Sequence, residues 1–164
     1  MSNNQAAKKG PSLITIALVL GGLAFLFSRI MTSPEAPDTE ASAAKAFEPV
    51  PDKAVVYVFR STLAGGMHTF RTLRLYIDGA PLGDIGNGAF FRTVVSPGAH
   101  KMQVTNVRNE ELGSLDITAE TNQLCFIELS LSDPLSGKPS LKLAEGEEAR
   151  KTIAQCKMLK GGSN

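Results

Sequence analysis

The chain has 164 residues, with 17 Lys and Arg set against 16 Asp and Glu. The resulting formal charge of +1 is spread along the sequence, which excludes the broad basic field that draws a domain to nucleic acid. There is no tryptophan and there are only two cysteines and two histidines, so neither an aromatic stacking platform nor a zinc framework is expected, and no metal or cofactor is implied.

Residues 1–11 are polar and carry Lys8 and Lys9. Residues 12–31 contain an apolar run over 13–28 with no charge before Arg29. A spanning helix needs roughly 17–25 predominantly apolar residues, and an apolar surface all round suits a soluble amphipathic helix poorly. The run reads as a transmembrane signal anchor. A cleaved signal peptide is the competing reading, but no small-x-small site follows closely, and without a following cysteine lipoprotein processing is excluded. Two lysines before the run against one arginine after it place the N-terminus in the cytoplasm and the rest of the chain outside. Residues 32–51 are rich in Pro, Ala, Ser and acids, the composition of a semi-extended tether.

The folded part is expected over 52–160. Residues 54–59, Ala-Val-Val-Tyr-Val-Phe, form a β-branched and aromatic run that suits a strand buried on both faces. Residues 61–68 read as a loop. The next strand, over 70–77, alternates, with Leu73, Leu75 and Ile77 on one face and Arg74 and Tyr76 on the other. Three turn signals follow closely: Asp78-Gly79, Asn87-Gly88 and Pro97-Gly98. The first two suit two-residue hairpins of primed geometry and the third a type II turn. Turns this close leave room only for short strands, over 80–85, 89–95, 99–107 and 112–119. Two more are expected over 124–131 and 139–143. Residues 145–156 have helical character, with Glu147 and Glu148 in the first turn and Ala149, Ile153 and Cys156 on one stripe. The expected fold is mainly β: an antiparallel β-sandwich of about seven or eight strands, closed by a C-terminal helix and preceded by one transmembrane helix.

Four pieces occur in order: 56–60 (Val-Tyr-Val-Phe-Arg); 76–79 (Tyr-Ile-Asp-Gly) with Leu82-Gly83; 87–91 (Asn-Gly-Ala-Phe-Phe); and 96–100 (Ser-Pro-Gly-Ala-His). With the ending Ile153-Ala154-Gln155-Cys156-Lys157 they resemble the bacterial family catalogued as domain of unknown function 2846, over 52–159. The resemblance implies a small envelope β-domain, often a lipoprotein in relatives and similar in look to sugar-associated PEGA sandwiches. It implies no activity. This chain departs from many relatives by carrying an apolar run where they would carry a lipidated cysteine.

Several residues invite a sharper reading. By parity Cys125 points inward and Cys156 lies on the stripe of the closing helix. A disulfide between them, contributing roughly 2–4 kcal/mol outside the cytoplasm, and two separate buried thiols both remain open. His100 follows a Pro-Gly turn without a nucleophile elbow or paired-carboxylate motif, so it reads as a turn-end residue bonding to backbone, and His68 as a solvated loop residue. No enzyme is expected. Arg71, Arg74, Tyr76 and Arg92 fall on the early strands, and Arg74, Tyr76 and Arg92 could share one outer sheet face. That face could meet an anionic glycan, a lipid headgroup or an acidic surface, or its arginines could simply be solvated.

The main expectation is a non-catalytic interaction or structural module, an accessory subunit of a larger membrane complex. It would be anchored by a single pass in the bacterial inner membrane, with the domain in the periplasm and a protein partner beside it. The alternative is an envelope domain that binds glycan or another anionic ligand through the arginine-bearing face.

Overall fold

The computed structural model of the protein describes residues 33–62, 72–131 and 138–162. Among these residues nine strands and two helices follow in chain order: α1 (Asp38–Ala44), β1 (Ala54–Arg60), β2 (Leu73–Ile77), β3 (Ala80–Ile85), β4 (Ala89–Val95), β5 (Gly98–Thr105), β6 (Glu111–Ala119), β7 (Leu124–Leu131), β8 (Pro139–Leu143), α2 (Gly146–Ala154) and β9 (Lys157–Met158). They build a five-stranded sheet in the order β8-β7-β1-β4-β9 and a four-stranded sheet in the order β3-β2-β5-β6.

Two apolar cores result. Val56, Val58, Leu73, Leu75, Phe91, Met102, Val104 and Ile127 belong to the first, drawn from both sheets. The second lies on the opposite face of the five-stranded sheet, where Val55, Tyr57, Phe59, Phe90 and Phe126 meet Ala149 and Ile153 of α2 and Ala44 of α1. Strand β1 alternates between the two cores, so all seven of its residues are buried. A continuous β-branched and aromatic run is what such a position requires.

The second core draws on residues 36–50. Phe47 sets its ring 5.3 Å from Tyr57 and 6.0 Å from Phe126, Ala36, Ala41 and Val50 pack beside it, and the Tyr57 hydroxyl donates to the Ala44 carbonyl at 2.7 Å. The stretch expected as a tether over 32–51 is therefore, from Ser33 onward, a strap packed on the domain. Its few apolar residues are spaced so that Ala and Phe side chains drop into grooves a bare β1 face would leave open.

The strap also ties the two sheets together at one corner. Ala36 N–H donates to Met158 O and Lys160 N–H to Pro34 O, both at 2.9 Å, while β9 pairs in parallel with β4. On the neighbouring sheet, Ser33 N–H reaches Asp84 O at 3.0 Å and Gly162 N–H reaches Leu82 O at 2.9 Å. The β3 edge is thus partly satisfied by the backbone at Ser33 and Gly162, a common protection of an exposed edge. Gly83 makes the closure possible. A Cβ there would sit 2.5 Å from Ser33 Oγ and 2.7 Å from Phe91 Cζ, and its φ of +142° disfavours any side chain.

The β-rich fold with two sheets and a C-terminal helix is present, but three further expectations need correction. The sheets are not wholly antiparallel, because β1 pairs in parallel with β7 as well as β4 with β9. Asn87-Gly88 does not close the expected hairpin, nor does the Pro97-Gly98 turn join neighbouring strands. Strands β3 and β5 lie in the four-stranded sheet and β4 in the other, so both turns carry the chain between sheets, and only Gly88 of the Asn87-Gly88 pair has positive φ. Asp78-Gly79 does close a hairpin, with both residues at positive φ.

The third correction concerns the membrane. The transmembrane signal anchor expected over 12–31, with its cytoplasmic tail over 1–11, lies outside the described residues, and among the described residues no helix is long and apolar enough to cross a membrane. The readings built on that anchor are withdrawn: the inner-membrane localisation, the periplasmic placement of the domain, the membrane and protein partners, and the role as accessory subunit of a membrane complex.

Two substitutions test the strap. Phe47→Ala, which empties a half-buried aromatic cluster, should lower unfolding free energy by about 2–3 kcal/mol. Gly83→Ala should cost about 1–3 kcal/mol through overpacking against Ser33 and Phe91. Val107→Ala, at a side chain that is 59% exposed, should stay within about 0.5 kcal/mol. Urea denaturation of the three variants checks the ranking, and a Phe47→Ala chain as stable as Val107→Ala would show that the strap adds nothing.

Candidate functional site

Strand β2 buries Leu73, Leu75 and Ile77 and turns Arg74 and Tyr76 to the outer face of the four-stranded sheet. There Arg74 lies opposite Asp84 of β3 and Thr105 of β5. Its Nε donates to Asp84 Oδ1 at 2.7 Å and its Nη2 to Asp84 Oδ2 at 3.3 Å, the two-pronged geometry that suits guanidinium and carboxylate. The third prong, Nη1, donates to Asn109 Oδ1 at 2.9 Å. The Tyr76 hydroxyl donates to the same oxygen at 3.2 Å. The carboxylate beside it raises the already high pKa of the Arg74 guanidinium, so Arg74 is charged throughout the working range.

Asn109 reaches the sheet because the β5–β6 connection is pinned from within. Asn106 Oδ1 accepts the N–H groups of Arg108 and Glu110 at 2.9 and 3.0 Å, and Asn106 Nδ2 donates to Glu110 Oε2 at 2.6 Å. Asn109 itself sits at φ 62°, a left-handed conformation that asparagine tolerates better than most residues. Beside this cluster Gln103 Nε2 donates to Glu111 Oε2 at 2.9 Å, extending a polar hydrogen-bonded surface across β2, β5 and β6.

The other expected site residues are placed differently. Arg92 lies on β4 of the five-stranded sheet, opposite Tyr57, and borders a cavity of about 300 Å³ with Glu40, Glu48 and Val50 of the strap segment. It does not share a face with Arg74 and Tyr76. Arg71 and His68 lie outside the described residues. Cys125 and Cys156 are both free and buried, but Cys125 belongs to the first core and Cys156 to the second. The five-stranded sheet separates them, so the disulfide left open by the sequence is not formed, and burial pushes both thiols up in pKa.

A family model described as "Protein of unknown function (DUF2846)" matches residues 51–140. The chain belongs to that family. No curated protein matches it. The matched span runs from the end of the strap to the first residues of β8, and so contains Arg74, Tyr76, Asp84 and Asn109.

Asp84 and Asn109 are the members of the cluster that the sequence does not announce. A regular two-residue hairpin about Asp78-Gly79 would set Gly83 opposite Arg74. Instead the register shifts between Leu75 and Tyr76, and this bulge brings Asp84 there. Asn109 arrives from a connection whose shape depends on Asx hydrogen bonds, for which the sequence signal is the asparagine pair Asn106 and Asn109 with Glu110.

A second polar cluster lies at the end of the same sheet. His100 Nδ1 is 2.6 Å from Asp78 Oδ2, and its Nε2 is 2.7 Å from the Ser96 carbonyl oxygen. Asp78 Oδ1 accepts the Lys101 N–H at 2.8 Å. Both ring nitrogens face acceptors, so the imidazolium satisfies both while the neutral ring satisfies one. The hydrogen bond to Asp78 raises the His100 pKa above 6.5, and the hydrogen bond from His100 lowers the Asp78 pKa below 3.8. The cluster latches the β2–β3 turn to the β4–β5 connection and leaves neither nitrogen free to act as a base on a substrate.

The pH dependence follows from these directions. The raised His100 pKa contributes stability that is complete below about 6.5 and is lost as pH rises through the folded value. The lowered Asp78 pKa contributes stability that is present above about 3.9 and is lost as pH falls through its folded value. The latch therefore works best between those limits. Melting temperature should fall from pH 6 to pH 8.5 in the parent chain, and His100→Gln should flatten that slope. An unchanged slope in the variant would mean that another group governs it.

Proposed function

We propose that the domain is a non-catalytic binding module that takes a hydroxyl-rich ligand of glycan type on the outer face of its four-stranded sheet. The observation that carries this reading is the Arg74 guanidinium, held by Asp84 and Asn109 with the Tyr76 hydroxyl on the same asparagine oxygen. A sugar ring presents neighbouring hydroxyls that both donate and accept. A fixed carboxylate, guanidinium and amide at one spot offer both functions without further ordering cost. Tyr76, half-buried, adds an apolar ring surface beside them, as polar ligands with carbon–hydrogen faces require.

Charge favours a neutral ligand over an anion. Arg74 is neutralised by Asp84. Elsewhere on the strands, Lys101 is opposite Asp116 and Gln103 bonds Glu111, so the face carries no excess positive charge. An anion would have to displace Asp84 from the guanidinium, whereas a hydroxyl can join the existing bonds.

A glycan array probed with the full chain tests the reading. Neutral oligosaccharides should bind, and Tyr76→Ala and Arg74→Ala should each weaken binding about tenfold or more while leaving the fold intact. Asp84→Asn, which keeps the shape but removes an acceptor charge, should weaken neutral sugars. Binding confined to sulfated or uronic-acid glycans, or binding that survives both Tyr76→Ala and Arg74→Ala, would overturn the assignment.

A further inference from the structure

A cavity of about 560 Å³ opens where α2 meets the ends of β6, β7 and β8. It lies away from the Arg74 face, and neither Arg74 nor Tyr76 lines it. Leu124, Phe126 and Leu143 supply an apolar wall, and Leu143 is 61% exposed there. Among the described residues Arg150 is the one charged side chain in the lining, accompanied by the amides of Asn122 and Gln123.

The hydrogen-bonding pattern of those three side chains is one-sided. Asn122 Oδ1 already accepts the Asp52 N–H at 3.1 Å. Gln123 Oε1 accepts the Glu120 N–H at 2.7 Å and the Cys125 thiol at 3.4 Å. Because those oxygens face N–H groups, the amide orientations are fixed, and among the described residues neither terminal NH2 has an acceptor. Arg150 is laid over the rings of Phe47 and Phe126, with its guanidinium carbon 5.5 and 5.8 Å from their centroids. Ring contacts of this kind take none of the guanidinium N–H groups, and among the described residues no hydrogen bond claims them, so they remain as donors. Among the described residues no carboxylate pairs with Arg150.

We propose that this cavity is a binding site for a small organic anion, a carboxylate carried on a short apolar body. Arg150, Asn122 and Gln123 offer donors to the cavity while the two amide oxygens already face protein N–H groups, so the head group that suits these three side chains is an acceptor without protons to give. A carboxylate meets the guanidinium edge with two oxygens. The apolar wall then selects the body and separates this ligand from inorganic phosphate, which would leave Leu124, Phe126 and Leu143 facing water. The site is independent of the sugar-binding reading, which depends on Arg74.

Octanoate, octanamide and inorganic phosphate, each titrated into the 15N-labelled full chain, form the test, read at the side-chain NH2 signals of Asn122 and Gln123. Octanoate should shift both signals saturably, octanamide should bind at least about tenfold more weakly, and phosphate should leave them in place. Arg150→Gln should weaken octanoate about tenfold or more. Because Arg150 also packs on two rings, Gln123→Glu provides a second variant. It keeps the oxygen that faces Glu120 and sets a negative oxygen where a donor stood, and it should abolish octanoate binding in a chain with parent-like melting. Arg74→Ala should bind octanoate as the parent does. Equal affinity for octanoate and octanamide, phosphate binding as tight as octanoate, unaltered binding in Gln123→Glu, or no shift with octanoate would each overturn the proposal.

Discussion

The burial of β1 on both faces is the constraint on which the rest of this domain depends. A central strand with seven buried residues cannot stand in a sheet that has water on one side, so the five-stranded sheet needs a cover opposite the four-stranded one. Helix α2 supplies part of it through Ala149 and Ile153, a narrow stripe on a nine-residue helix. Another part comes from the strap over 33–50, which brings Ala44 and Phe47 over Tyr57. Tyr57 shows why the cover must fit closely. Its ring stacks 5.3 Å from Phe126, and its buried hydroxyl would be an expensive orphan without the Ala44 carbonyl at the end of α1.

This arrangement explains what the sequence revealed and what it concealed. The β1 run, the alternation of β2 and the Asp78-Gly79 hairpin are local patterns with period two or a definite turn chemistry, so they are legible residue by residue. The strap is not. Pro, Ala, Ser and acidic residues over 32–51 look like linker because the segment makes almost no core of its own; it is ordered only by the surface it covers, and that surface is assembled from four distant strands. The same non-locality hid the sheet assignment of β4. Asn87-Gly88 has hairpin chemistry and Pro97-Gly98 that of a type II turn, yet whether a tight turn returns a strand to its neighbour or sends it to the facing sheet depends on which partner buries Phe90 and Phe91 better. The long pairing of β4 with β1 decides that.

The arginines show the same limit at the level of side chains. Parity correctly turned Arg74 and Tyr76 outward, but parity within one strand says nothing about which sheet another strand joins, so Arg92 could be imagined beside them although it lies across the molecule's other sheet. A one-residue bulge between Leu75 and Tyr76 then decides that Arg74 meets Asp84 rather than Gly83. Without that shift Arg74 would face a glycine, and the outer face would present an uncompensated cation. Membership in the DUF2846 family fixes none of this, because the register lies in the backbone.

What an arginine can recognise is therefore set by what already holds it. At Arg74 a carboxylate takes two of the guanidinium prongs and an asparagine the third, so the group is an ordered and electrically balanced part of a surface, suited to sharing hydrogen bonds with hydroxyls. At Arg150 the guanidinium lies over two phenyl rings with its N–H groups unclaimed among the described residues, next to two amides whose oxygens are turned away. The first environment offers matched donors and acceptors, and the second offers donors over an apolar wall. Since the strap contributes Phe47, one of the two rings beside Arg150, the segment that completes the second core also helps to position that guanidinium. Folding of the strap and the chemistry of the cavity are in this way one structural event.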